Sequence, residues 1–194
     1  MIRGRPPATD QESRVSTVSP DVASSWTYPP LTPELGFLRD IDRVMSAAEL
    51  AVVTRRIAAS GAWRDFVVVS DDLRDYRLIY ENEHTDVWAL SWLPGQETGF
   101  HDHDVSEVGI TIVQGAVLEG HMRLGDAPTE RVLREGDSAE GGFGYIHRVG
   151  HLEGTPAVSL HAYSPPLRWV GQYRQRDGRM LRLKEPGRTR LSPR

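Results

Sequence analysis

The chain contains no cysteine. Disulfides, thiolate metal ligands and cysteine nucleophiles are therefore excluded, and any metal site must be built from His, Asp and Glu. There is no apolar run long enough to cross a bilayer, so no membrane partner is expected. Nothing at the start joins a basic end, an apolar stretch and a cleavage site, and a cytoplasmic location is the expectation. Positive charge is not in excess. With 23 Lys and Arg against 27 Asp and Glu, the formal net charge is −4, which argues against a nucleic-acid partner. The 194 residues suit one domain with a real core plus tails, as a monomer or weak homo-oligomer.

Residues 1–29 are rich in Ser, Pro, Thr and Arg without an apolar period and read as a disordered leader. The domain proper is expected over 30–183, with a basic tail at 184–194. The run "RWVGQYRQRDGRMLRLKEPGRTRLSPR" reads as a solvated face and tail. "LTPELGFLRDIDRVMS" offers Thr32 as a helix N-cap with Pro33 in first position. "SAAELAVVTRRIAAS" opens with Ser46 and Glu49 at capping-box spacing and closes before Gly61, with Leu50, Val53 and Ile57 as its buried stripe. After Gly61 the pattern changes. "WRDFVVVS", "YRLIY", "DVWALSWL", "VGITIV", "AVLEGHMRL", "ERVLRE" and "PAVSLHAYS" are short β-branched or alternating runs separated by turn residues. They predict an all-β sandwich or barrel with a helical pair covering one end. Trp88 and Trp92 read as core, while His84, His121 and His151 are expected to be exposed.

Two histidines stand one residue apart in "GFHDHDVSEVGI". In a strand His101 and His103 share a face and can bind one divalent ion; they can equally sit on a polar edge strand. A third ligand is available in His147 of "GDSAEGGFGYIHRVGH", whose Gly141, Gly142 and Gly144 permit a return of the chain. Asp102 and Asp104 point to the opposite face of a regular strand.

"PGQETGFHDHDVSEVGITIVQG" resembles the first cupin motif and "GDSAEGGFGYIH" the second, which implies a double-stranded β-helix barrel with a metal inside. Trp92, "HDH" at 101–103, "IHRV" at 146–149 and "TPAVSLHAYSPPL" at 155–167 narrow the resemblance to the cysteine dioxygenase family of thiol dioxygenases, over roughly residues 73–170. The resemblance implies ferrous iron, Fe(2+), on His101, His103 and His147. It also implies a Ser159–His161–Tyr163 relay, and a small thiol and O2 as partners, with a sulfinic acid as product. The residues agree with such a relay: Ser159, His161 and Tyr163 alternate with Val158, Leu160 and Ala162, so one face of that strand is polar.

Three positions depart from the family's pattern. Some members cross-link a cysteine to the relay tyrosine; Val108 stands at that position, so Tyr163 is expected to be an ordinary phenol. Cupins often add a glutamate ligand, but counting back from Gly115 places Val108 inward and turns Glu107 away. The family's substrate carboxylate is held by arginine in a Tyr-x-Arg pattern, which is absent here. Arg74 and Tyr76 occupy the matching positions, and the neighbouring Arg77 is a further candidate for the carboxylate. Two other readings stay open: a zinc or nickel cupin acting as an isomerase or hydrolase, and a cupin that binds a ligand without catalysis.

Overall fold

In the computed structural model, which describes residues 30–69, 75–152, 154–177 and 179–186, the capping box closes as its spacing predicts. Ser46 Oγ accepts from the Glu49 amide, and the Glu49 carboxylate accepts from the Ser46 amide at 2.9 Å. Helix α1 (Ala47–Ser60) then runs to Gly61, whose left-handed φ of 72° ends it without a Cβ clash. Leu50, Val53 and Ile57 are buried, each contributing about 2 kcal/mol.

Two flanking segments differ from expectation. Pro33–Asp40 forms a 3-10 helix, and Thr32 makes no side-chain cap bond. The physical reason lies in its apolar spacing: Leu35 and Leu38, both fully buried, are three residues apart and eclipse on a 3-10 turn. At the start of "WRDFVVVS" the chain is likewise a 3-10 helix, Ala62–Phe66, and not the start of a strand. Trp63 and Phe66 are again three apart and buried, whereas Val68 and Val69 are exposed. The three-residue spacing outweighs the β-branched composition.

The strands are β1 (Tyr76–Glu81), β2 (Asp86–Trp92), β3 (His101–Asp102), β4 (Glu107–Gln114), β5 (Ala116–Met122), β6 (Thr129–Arg134), β7 (Ser138–Gly141), β8 (Ile146–His151), β9 (Ala157–Ser164), β10 (Trp169–Arg176) and β11 (Arg179–Pro186). They pair antiparallel in a five-stranded sheet, β1-β2-β9-β4-β7, and a six-stranded sheet, β11-β10-β3-β8-β5-β6. Residues 169–186 are therefore a hairpin of the second sheet, and residues 184–186 belong to β11. The expected leader and residues 187–194 of the expected tail lie outside the described residues.

Two apolar layers result. One fills the space between the sheets, with Trp88, Leu90, Trp92, Val108, Ile110 and Val149 among its members. The other joins α1 and the 3-10 helices to the outer face of the five-stranded sheet through Val87, Ala89, Leu160 and Ala162. The helices thus cover a sheet face, where the sequence reading put them at one end of the barrel. The reason is that every residue of β2 and β9 is buried, so the outward apolar side chains of both strands need a cover of their own. Helix α1 lies close on β4: a Cβ at Gly109 would overlap the backbone of Leu50 and Ala51, and Thr54 and Thr111 share a buried hydroxyl bond of 2.8 Å. Glu107 turns to this side and accepts from the Ala47 amide at 2.6 Å, satisfying an N-terminal amide of α1. Val108 faces the interior.

Candidate metal centre

Strand register brings the histidines together. His101 in β3 is the direct ladder partner of His147 in β8, and β3 is held on its other edge by β10, where Gln172 pairs with His101. After β3 the chain turns at once. Asp104 adopts φ 55°, a conformation Asp tolerates better than most residues, and its amide donates to Asp102 Oδ1 at 2.9 Å. That turn leaves His103 on the same side as His101. The three ring centroids are 4.6–5.1 Å apart. One nitrogen from each ring lies within 4.8 Å of the others, and all three side chains are buried.

Two of the rings are oriented from behind. His101 Nδ1 meets the Gly99 carbonyl at 3.0 Å, and His147 Nδ1 meets Glu119 Oε1 at 3.0 Å. Each acceptor fixes the proton on Nδ1 and turns Nε2 into the cluster, where His147 Nε2 lies 3.3 Å from His103 Nε2. Burial, then the imidazoles of His147, His101 and His161, hold His103 well below the ordinary histidine range. Neutral imidazoles converging through ring nitrogens, with no carboxylate among them, fit a divalent transition metal.

Glu119 is the residue that sequence reasoning missed. It is 1% exposed, and its carboxylate also accepts from Tyr145 Oη at 2.8 Å and Arg131 Nε at 2.7 Å. Burial alone would raise this acid; His147, Tyr145 and Arg131 outweigh it and bring the acid down to about 2. The signal was present. Glu119 shares its strand face with Val117, which belongs to the inter-sheet core, so period-two alternation already pointed it inward.

On the opposite side of the His-x-His loop, Asp102 accepts two bonds of 2.7 Å from Arg182 and one of 2.7 Å from Tyr173 Oη. Arg182 and Lys184 also reach Asp104, at 3.1 and 3.0 Å. Burial pushes the Asp102 carboxyl up, but Arg182 and Tyr173 prevail and hold it at about 2. The run read as a solvated basic face therefore ties β10 and β11 to the loop that carries the histidines.

The polar face of β9 points inward. Ser159 Oγ is 3.0 Å from His161 Nε2, and His161 Nδ1 is 3.2 Å from Tyr163 Oη. The Tyr163 ring lies 5.0 Å from that of His103. Trp92, read from the sequence as core, is fully buried and donates its indole N–H to Ser159 Oγ at 2.9 Å. A cavity of ≈ 30 Å³ is lined by His101, His103, His161 and Tyr163 with apolar side chains that include Leu90 and Leu167. Val108 is the ladder partner of Tyr163.

The substrate-side candidates separate. Tyr76 belongs to the inter-sheet core with Tyr163. Arg77 does not reach the cavity: it pairs in register with Ala89, which packs against the helices, and its guanidinium bonds Asp75 at 2.8 and 3.1 Å. One residue along a strand reverses the face, which removes Arg77 from the candidates. Arg74 lies outside the described residues. His84, His121 and His151 are half-buried, where exposure was expected; His121 stacks on Tyr145 at 4.9 Å, and His151 Nε2 meets the Thr155 carbonyl.

Two antiparallel sheets closed over three convergent histidines define a cupin-type barrel. The family described as cysteine dioxygenase type I matches residues 18–176, and the chain belongs to that family. It is 35% identical to cysteine dioxygenase type 1 of Homo sapiens, with 50% of this chain and 53% of the human protein covered. The protein of the same name in Danio rerio is 32% identical over the same shares. The chain thus spans about half the length of these relatives. Among solved structures, a protein with a double-stranded β-helix domain from Klebsiella pneumoniae is similar at TM-score 0.47 and 20% identity, covering 53% of this chain and 80% of that one. A cupin protein from Desulfovibrio desulfuricans gives TM-score 0.44 and 23% identity, covering 52% and 90%. No helix among the described residues is long and apolar enough to cross a membrane.

Proposed function

We propose that this chain is a mononuclear non-haem iron thiol dioxygenase that converts a small thiol, cysteine or a related mercapto-acid, to its sulfinic acid with O2. One observation carries the reading: in a chain of this family, three buried imidazoles converge beside an inward-facing Ser-His-Tyr strand. His101, His103 and His147 would hold the iron. When bound, ferrous iron supplies the redox chemistry that joins both atoms of O2 to the thiol sulfur. Because the three rings are uncharged, they leave the full charge of a divalent cation to attract a thiolate. His161, backed by Ser159, holds the Tyr163 hydroxyl at the cavity, where it keeps a proton beside the reacting atoms. Leu90 and Leu167 on the cavity wall favour exclusion of water. On the substrate side Tyr76 and Arg74 are the residues assigned to the thiol's carboxylate, because Arg77 lies on the helix-covered face of β1. A cytoplasmic setting, where small thiols stay reduced, suits such a substrate.

The test is oxygen uptake by the iron-loaded chain with cysteine, mercaptopropionate, cysteamine and mercaptosuccinate, each product weighed for two added oxygen atoms. No uptake with any thiol ends the proposal. The all-imidazole donor set also suits zinc, so the metal content of protein purified without added metal separates a dioxygenase from a hydrolase or isomerase.

A further inference from the structure

The hydrogen bonds around Ser159 have a direction. An indole nitrogen only donates, so at 2.9 Å Trp92 Nε1–H fills a lone pair of Ser159 Oγ. A hydroxyl has one proton to give. Among the described residues Ser159 Oγ has one other partner, His161 Nε2 at 3.0 Å, and the proton must go there. A neutral imidazole that accepts at Nε2 carries its own proton on Nδ1, and at 3.2 Å that proton is donated to Tyr163 Oη. The phenol oxygen is then an acceptor towards His161, and its hydroxyl proton turns away from β9. On that side lies the cavity that Tyr163 lines with His101 and His103.

We propose that Trp92 is a positioning residue that fixes the direction of the Ser159–His161–Tyr163 chain, so that Tyr163 offers the cavity a hydrogen-bond donor and not a lone pair. In the reverse direction His161 Nε2–H would donate to Ser159 and Tyr163 would donate to His161 Nδ1. The serine proton would then have to point at the indole N–H, donor against donor, or find no acceptor. Trp92 is fully buried and lies on the inward face of β2, in register with Ala157 of β9, so the donor is held in place. The inference rests on the proposed function only for what the donor meets, an anionic sulfur or oxygen atom.

The experiment is nitrogen NMR of the histidine-labelled chain, metal-free and zinc-loaded, with His161 assigned by loss of its signals in His161→Gln. The expected result is a His161 ring protonated on Nδ1 and accepting at Nε2. In Trp92→Phe the serine hydroxyl can turn into the space the indole N–H leaves, and both tautomers become populated. A wild-type ring protonated on Nε2, or on both nitrogens, overturns the proposal, as does a Trp92→Phe spectrum identical to wild type. Should Trp92→Phe fail to fold, Ser159→Ala decides: the Trp92 indole proton should move upfield as its acceptor disappears, and an unmoved signal overturns the role of Trp92. No thiol or oxygen enters these measurements, so they stand or fall apart from the dioxygenase activity.

Discussion

The carboxylate of Glu119 stands 3.0 Å behind Nδ1 of His147, with no solvent between them, and is itself gripped by Arg131 and Tyr145. A buried carboxylate in that place fixes the imidazole tautomer and raises its basicity towards a cation on the far nitrogen. Glu119→Gln should therefore weaken metal binding about 10–100-fold while leaving the fold intact. Competition of the apo-chain with a metal indicator reads this directly, and equal affinity for wild type and variant would remove the role assigned to Glu119.

Replacing His103 by Ala should abolish tight binding of one divalent ion and with it any turnover. The same variant should lose the rise in melting temperature that added metal gives the wild type, because a ligand stabilises only the state that binds it. Calorimetric scans with and without metal test both statements.

Tyr163→Phe keeps the ring but removes the hydroxyl that His161 holds. Metal affinity should stay within about 2-fold, since none of the three ring nitrogens is touched, whereas kcat should fall by about 100-fold, the usual cost of one preorganised donor. An unchanged kcat would take Tyr163 out of the reaction.

The Arg182–Asp102 pair should show in acid. Asp102 has its carboxyl lowered to about 2 in the folded chain, against about 3.9 unfolded. A lowered folded value means the stabilisation is fully present above the unfolded value and is lost as pH falls from about 4 towards 2. Arg182→Ala should cost about 2 kcal/mol near neutrality, and the gap from wild type should shrink below pH 4. Urea unfolding at several pH values measures it.

Asp86 behaves in the opposite sense. It is buried, its Oδ2 accepts from the Leu167 amide at 3.1 Å, and burial outweighs the lowering effect of Trp88 and Leu167 and pushes the acid up to about 7. The folded chain then binds a proton the unfolded chain has released, so stability should fall as pH rises from about 4 to 7 and level off above. Asp86→Asn should flatten that slope, which the same urea series would reveal.

Some of this was legible in the residues and some was not. Helix α1 carries its own punctuation in Ser46, Glu49 and Gly61, and its position followed from local chemistry alone. The alternation at 157–164 separated Ser159, His161 and Tyr163 from their apolar neighbours, but it could not say which face is inward. Both faces of β9 are buried, one by the second sheet and one by helices, and only tertiary packing chooses between them. Strand β3 is two residues long, too short for any periodicity, and takes its place from β8 and β10. The hairpin of β10 and β11 was hidden by its own charge. Arg182 and Lys184 look like solvent residues until Asp102 and Asp104, some 80 positions earlier, are seen beneath them.

Val108, opposite Tyr163 across the ladder, has a consequence for how the protein comes of age. An aliphatic neighbour offers the phenol nothing to bond with, so no covalent cross-link can join these two side chains after translation. In the proposed enzyme every copy should then enter its first turnover with Tyr163 in the same covalent form, without a break-in period and without a mixture of young and ripened molecules in a preparation.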